Sequence, residues 1–408
     1  MPPTLPAKAP IVAALGATQI IGYGTIYYAF AILAPSVATE FQVTEPFLFG
    51  VLSAGLLLGG LLAPYLGRQL DRIGSARVMT LGSLIMAGLL VLLGLSPNLY
   101  VFGGLTILIE VLSFTVLYDA AFALLAQKRP RDTRRSITNL TLIAGFASTI
   151  FWPLSGWLVV ELGWRGTQFL FAALHLLCAA LHWWIVKVPA AEMSAAPTDA
   201  AAQVQTELPP LEGQVARRAF LLLGISFGLM AMAISAITVH LVLILRSLGL
   251  GETAYIAAMV MGPAQVAARV LDATLWRDQH PLVIAILSSS AIVAALVILL
   301  LPGPALLLAF SFALLLGSGA GLASIVRGAV PVALFGTTGL GSRLGSLAAV
   351  RSVLAAAAPF LFSWAATAYS IPWAVWAALA LALAGLTTLV QLYRTLRRIG
   401  AVPPARHK

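Results

Sequence analysis

Charge is what this chain has least of. Charged residues make up 9% of its 408 residues, against roughly 25% in a soluble domain. So few charges cannot cover a water-facing surface, which excludes soluble enzymes and soluble binding modules. There is one cysteine, Cys178, so neither an intrachain disulfide framework nor a cysteine-based metal centre is available, and no metal or cofactor is expected. No phosphate-binding loop of the Walker type occurs, so ATP-driven transport by this chain is not supported. The glycine-rich stretch 336–345 lacks the lysine and the preceding strand, and reads as a flexible turn. No Ser/His/Asp set lies at motif spacing, which leaves an intramembrane hydrolase as a remote alternative and argues that the chain is not an enzyme. No charge ladder suggests a voltage sensor. The net charge is +10, but the bases fall in short loops between apolar runs, which argues against a nucleic-acid partner.

Long apolar runs fill the remainder. A helix of ~20 apolar residues crosses a bilayer, and the runs predict twelve such spans at 11–37, 47–66, 78–95, 99–126, 137–160, 167–186, 219–245, 253–270, 282–301, 305–326, 344–367 and 373–393. The fold class expected is an all-α polytopic membrane protein, twelve transmembrane helices in two six-helix bundles. The first run continues well past the length of a signal-peptide core and reads as a retained span. Lys and Arg crowd one set of alternate loops, whereas Arg165 and Arg246 stand on the other. The positive-inside bias therefore predicts that both termini are cytoplasmic. Residues 189–217, rich in Ala and Pro with scattered acids, read as a cytoplasmic linker between bundles at 1–188 and 218–408.

The halves repeat weakly. Arg68-x-Leu70-Asp71 follows span two and Arg269-x-Leu271-Asp272 follows span eight, which sets Arg269 at the interface, level with Arg68. Asp119 near the end of span four matches Arg327 near the end of span ten. Pro153 in span five matches Pro359 in span eleven. A duplicated six-helix unit predicts a binding site near the midplane, at the repeat interface.

Residues 67–77 form a short charged turn with Gly67, Asp71, Arg72, Gly74 and Arg77 in the order G-x-x-x-D-R-x-G-x-x-R. This resembles the loop signature of the major facilitator superfamily between its second and third helices. The stretches Gly22 to Tyr28, Val239-His240-Leu241 and Gly262 to Val266 make it most similar to bacterial members near the monocarboxylate and oxalate/formate porters. The resemblance implies alternating access about a central site lined mainly by spans one, four, seven and ten. It also implies a latch at Asp71 and Arg72 that holds the inward gate, against the plainer reading of a turn with solvated charges.

Several residues are candidates for chemistry. A carboxylate at mid-bilayer costs about 2.5–3.5 kcal/mol on insertion scales, so it faces a cavity or a partner. Glu110, mid-span four, is thus the candidate for proton coupling, beside the alternative of a protonated glutamate bonded to a neighbouring helix. Asp119 and Arg327 are candidates for a gate pair, beside the alternative that each pairs locally. Arg351, about two turns into span eleven, stays ionised and needs an anion; that anion is either a substrate or a protein carboxylate. Gln19, Tyr23, Tyr27 and Phe30 recur at offsets of 4, 4 and 3, and Glu110, Phe114, Tyr118 and Phe122 at offsets of 4. Helical spacing puts each set on one face. Lining a cavity, they make an aromatic slot with polar handles; otherwise they are helix-packing or lipid-facing stripes. His240 is a candidate to relay protons or bind substrate near the outer mouth, beside the plainer reading of a satisfied packing histidine, and Gln265 is a candidate cavity donor. His175 and His182 read as structural or interfacial. Gly145, Pro153, Gly156 and Pro263 permit bending and close packing.

These readings predict a secondary transporter of a small organic solute, an organic anion such as a monocarboxylate, acting by proton coupling or exchange as a symporter or antiporter. A carrier of a flat aromatic compound, such as a flavin-like vitamin or a drug, is the competing reading. A non-transporting membrane sensor is the alternative of another class. The expected partners are the substrate, the lipid bilayer and protons, with the chain a monomer in a bacterial inner membrane.

Overall fold

A computed structural model describes residues 9–189, 209–251 and 253–402. Most of the linker expected at 189–217 lies outside them, and the following helix begins at Gly213, earlier than the boundary expected at 218. Among the described residues the secondary structure is helical. Eleven stretches are long and apolar enough to cross a membrane.

The stretch absent from those eleven is span five. Residues 137–160 do not form one helix. Helix α7 (Thr133–Ala144) stops at Gly145 and Phe146, and α8 (Ala147–Lys187) resumes after them. Helix α8 is itself two arms. Gly163 sits at φ 67, ψ 172, a region essentially restricted to glycine. Phe151 and Phe171 lie on either side of it with ring centroids 6.1 Å apart. Twenty residues of straight helix would separate them by about 30 Å, so the arms fold back on each other. Span five is thus α7 plus the first arm, and span six is the second arm.

The chain divides into two compact units. The first is Met1–Thr206 with Thr337–Ala349, and the second is Glu207–Gly336 with Val350–Lys408. In the first, span one is α1 (Ala9–Gly22), a π-helical turn at Tyr23–Tyr28, and α2 (Ala29–Phe41). Helix α3 (Glu45–Ile73) and α4 (Ser75–Gly94) meet at Gly74, whose φ of 96 lets the chain turn. Span four is α5 (Leu99–Ser113) and α6 (Tyr118–Lys128). The Asn98 side chain caps α5 by accepting from the Val101 N–H at 3.0 Å. The core of this unit gathers Leu33, Met86, Leu90, Phe102 and Phe171.

The second unit holds α9 (Gly213–Val239), α10 (Leu241–Ser247), α11 (Thr253–Met259), α12 (Met261–Thr274), α13 (Pro281–Leu299) and α14 (Ala305–Phe335), the later part of α15 (Leu340–Ala368), and α16 (Ile371–Arg398). Its core gathers Ile292, Phe312, Leu316, Leu379 and Ala382. Arg269, expected at the interface, is buried, and its Nε lies 3.4 Å from the Gly321 carbonyl that it faces. Close packing of α12 on α14 at Gly317 and Gly321 draws that part of the helix inward.

The first ten residues of α15, 340–349, belong to the first unit, and the signature loop bonds to their start. The Asp71 carboxylate accepts from the Gly341 N–H (2.9 Å), the Ser342 N–H (2.7 Å) and the Ser342 hydroxyl (2.6 Å). It therefore caps α15 rather than the helix that follows it in sequence. Negative charge at a helix N-terminus is favourable, and two of the orphan N–H groups are satisfied. Approach this close needs glycine. A Cβ on Gly345 would overlap the Ala63 carbonyl, and one on Gly341 would lie 2.6 Å from the Gly67 carbonyl oxygen. The stretch 336–345, expected to be a flexible turn, is instead helical from Leu340 and tightly packed.

Candidate functional site

The first unit concentrates most of the expected site residues. Its first and fourth spans are both irregular at the level of the tyrosines. The π turn at Tyr23–Tyr28 closes with Ala29 N–H on the Gly24 carbonyl. Such turns inside α-helices recur at functional sites. Span four breaks at residues 114–117, where Leu117 is extended at φ −91, ψ −167. Local chemistry favours that break. The Ser113 hydroxyl donates to the Glu110 carbonyl at 2.7 Å and the Thr115 hydroxyl to the Leu112 carbonyl at 2.7 Å. Side chains that bond back to the backbone compete with the helix ladder. Gln19 completes the arrangement by donating its amide N–H to the Val116 carbonyl at 2.8 Å.

These irregularities revise the two aromatic stripes. Gln19 is fully buried and bridges to span four, so it is a structural tie and not an open handle. Phe30 falls out of the tyrosine face after the π turn and packs on Phe49 of α3 at 5.5 Å. The single face expected for Glu110, Phe114, Tyr118 and Phe122 does not exist, because the helix is not continuous between Glu110 and Tyr118. Tertiary contact builds an aromatic group from both spans instead. Tyr23 lies 4.6 Å from Tyr118, Tyr118 stacks on Phe122 at 5.2 Å, and Tyr27 meets Tyr23 at 6.4 Å. Tyr118 and Phe122 are buried, whereas Tyr27 is 60% exposed.

Glu110 sits on the other side of the break and is buried. Helix α3 reaches it through two glycines. A Cβ at Gly55 would lie 2.8 Å from the Glu110 Cβ, and one at Gly59 would lie 3.0 Å from its carbonyl oxygen. This is close small-residue packing between membrane helices. The carboxyl lines a cavity inside the unit with Thr25, Thr106 and Gln168. Tyr27 is within electrostatic reach of it.

The two histidines of span six tie the unit together. His175 Nε2 lies 2.8 Å from the Thr25 hydroxyl. His182 spans Ser83 (3.1 Å) and Thr18 (3.0 Å), joining α4 and α1 to the second arm of α8. Asp119 is buried in the first turn of α6, and Arg72 is exposed at the end of α3. Sequence reasoning missed Gln127. Its amide accepts from Ser75 N–H (2.8 Å) and donates to the Leu70 carbonyl (3.0 Å), which clamps the signature turn. A lone glutamine at the end of an apolar run carries no signal for that.

In the second unit, Arg327 on α14 and Arg351 on α15 are half-buried, as is Gln265 on α12. His240 marks the end of α9. Its Nδ1–H donates to the Ala236 carbonyl at 2.9 Å, and its ring stacks on Phe362 at 4.6 Å. Among the described residues no cluster of His, Cys, Asp and Glu forms a metal site.

The model of one family, described as the Major Facilitator Superfamily, matches residues 15–325. The chain belongs to the Major Facilitator Superfamily. It is a multi-pass membrane protein of a transporter family and not an enzyme. The fold agrees with solved members. The human organic anion transporter MFSD10 (TETRAN) is similar with a TM-score of 0.72 at 18% identity, over 94% of this chain and 100% of that one. FucP in its outward conformation is similar with a TM-score of 0.66 at 13% identity, over 93% and 98%. At these identities the likeness concerns the fold alone. A cis,cis-muconate transport protein of Acinetobacter baylyi (strain ATCC 33305 / BD413 / ADP1) is 32% identical over 140 residues. That match spans 34% of this chain and 32% of the relative, about a third of each.

Proposed function

We propose that the protein is a secondary transporter of a small organic anion, a monocarboxylate or a conjugated dicarboxylate, coupled to protons through Glu110. The observation that carries this reading is the Glu110 carboxyl. It is buried in the first unit, makes no hydrogen bond or ion pair among the described residues, and faces a cavity. An intramembrane carboxyl so placed is a functional group by default. The aromatic group of Tyr23, Tyr27 and Tyr118 suits a planar, conjugated solute. Arg351 and Arg327 supply cations for its carboxylates. The partial similarity to a muconate carrier favours the same chemistry, since muconate is a planar conjugated dianion. Asp71, Arg72, Asp119 and Arg327 are the gating residues in this reading, and His240 and Gln265 accompany the substrate residues. The crowding of Lys and Arg in one set of alternate loops supports cytoplasmic termini, a bacterial inner membrane as the location and a monomeric chain as parts of the same reading.

The test is flux into proteoliposomes across a panel of mono- and dicarboxylates that includes cis,cis-muconate. A pH gradient should drive uptake by the unaltered protein. Glu110→Gln should abolish gradient-driven uptake while leaving substrate counterflow, because a permanently neutral side chain permits exchange but carries no proton. Equal gradient-driven uptake by both proteins would defeat the coupling role.

A second reading, transport of a flat aromatic compound, is favoured by one observation, the exposed Tyr27 ring beside Tyr23 and Tyr28. It predicts flux of aromatics without a carboxylate, insensitive to Arg351→Gln.

A further inference from the structure

The cavity beside Glu110 has a polar end and an apolar end. At the polar end four groups converge, Thr25, Thr106, Glu110 and Gln168. Thr106 precedes Glu110 by one turn of α5 and shares its face. Its hydroxyl donates to the Phe102 carbonyl (2.9 Å), which leaves its lone pairs free to accept. The Gln168 Oε1 is buried and has no hydrogen-bond partner. Thr25 donates to the Ile21 carbonyl (2.8 Å), so it accepts from His175 Nε2–H at 2.8 Å, and His175 Nδ1 is buried without a partner behind it. A cavity holds water when it is roomy and offers two to four polar partners, and this end meets that condition. Other titratable groups near Glu110 are Tyr23 and Tyr27 on the π turn and His175 on α8. Helices α3 and α4 present glycine and leucine to it, and no Asp, Lys or Arg lines the cavity.

The apolar end reaches Val37, Leu48 and Leu93, which lie at the ends of α2, α3 and α4 away from the basic loops. Phe102 lines it and belongs to a cluster of three rings. Phe41, Phe102 and Trp164 pack mutually at 5.8, 6.0 and 5.6 Å. The indole N–H of Trp164 donates to Glu40 at 2.5 Å. Glu40 in turn accepts from Arg165 Nη2 (2.6 Å) and Nε (3.1 Å), and Arg165 Nη1 donates to the Gly94 carbonyl at 2.8 Å. The guanidinium also lies 4.4 Å from the Trp164 ring. A partly exposed ion pair thus holds the aromatic cluster at the apolar end of the cavity that Glu110 lines.

We propose that this cavity is a proton-binding chamber private to the first unit, with Glu110 holding the proton and the Phe41–Phe102–Trp164 seal as its entrance. Water between Gln168 and Thr106 passes a proton from the outer solution to a Glu110 carboxylate oxygen. The carboxylate becomes the neutral acid, a hydronium becomes water, and no electrons move. The chamber rests on the reading of Glu110 as the coupling group, but its route is tested separately from coupling.

The experiment is hydrogen–deuterium exchange of the Glu110 carboxyl in reconstituted full-length protein. The readout is the shift of the infrared carbonyl band that Glu110→Gln removes. Phe102→Ala breaks the seal and should speed exchange about tenfold, and Ala34→Phe fills the channel and should slow it by about as much. Where Phe102→Ala does not give monodisperse protein, Glu40→Gln, which releases Trp164 without entering the cavity, takes its place. Absence of any band sensitive to Glu110→Gln, or equal exchange rates in the unaltered, opened and filled proteins, overturns the chamber. Proteoliposome flux of Glu110→Gln decides the coupling reading independently.

Discussion

Asp71 and Ser342 are joined twice, by the Ser342 backbone N–H at 2.7 Å and its hydroxyl at 2.6 Å, both donated to the same carboxylate. The residues are far apart in sequence, and the bond fastens the signature loop to the first turn of α15 within one compact unit. The acid of the signature thus serves as the N-terminal cap of a distant helix.

The cap has a measurable energy. Losing a side-chain acceptor at a helix N-terminus costs about 0.5–2 kcal/mol. Asp71→Ala should lower unfolding stability in detergent by that amount, and Ser342→Ala by less, since its backbone N–H bond survives. The pair share one interaction, so the double variant should lose less than the sum of the two. Strict additivity in the thermal or denaturant midpoints would mean the two do not act together.

Glycine at 345 is required by space, and glycine at 50 is not. A Cβ at Gly345 would overlap the Ala63 carbonyl, while nothing lies within 4 Å of one at Gly50. Gly345→Val should therefore cost about 1–3 kcal/mol or prevent folding, and Gly50→Ala should cost nothing. Yield of monodisperse protein and its melting temperature separate the two outcomes.

Gly163 is required by backbone conformation. Any other residue at φ 67, ψ 172 carries strain of about 1–3 kcal/mol. Gly163→Ala should lower stability within that range although the space around its Cβ is open. A melting temperature equal to that of the unaltered protein would show that the reversal between the α8 arms tolerates a side chain.

Arg351 and Tyr27 separate the two substrate classes. For a small-acid carrier, Arg351→Gln should raise the apparent KM for carboxylates by about tenfold or more, the loss of one charge-assisted bond being worth about 1.5–3 kcal/mol. For an aromatic carrier, Tyr27→Ala should abolish uptake and Arg351→Gln should leave it intact. Initial rates of the two variants on both solute classes distinguish these patterns.

Much of the architecture was legible before any coordinates. Long apolar runs and sparse charge dictate helices that cross a membrane, because backbone groups in hydrocarbon must bond within their own segment. The residues 67–77 named the superfamily, and a mid-span carboxyl marked Glu110 as the residue to watch. What could not be read was continuity. Span four keeps a clean four-residue spacing from Glu110 to Phe122, yet Ser113, Thr115 and Gln19 divert its backbone bonds and break it. Span five hides a comparable interruption at Gly145 and Phe146. Periodicity reports which side chains share a face only while the helix persists, and span four's own hydroxyls together with an amide from span one decided that it does not.

The chemistry divides along the same line. Sequence alone determined the class of the protein, because hydropathy and the charge of short loops are local properties of the chain. Tertiary structure decided the surroundings of each polar group. It placed Asp71 on α15, sank Gln19 into the packing between spans one and four, and set Glu110 in a cavity with Thr25, Thr106 and Gln168. Those surroundings come from segments far apart in the chain, which no window of sequence contains.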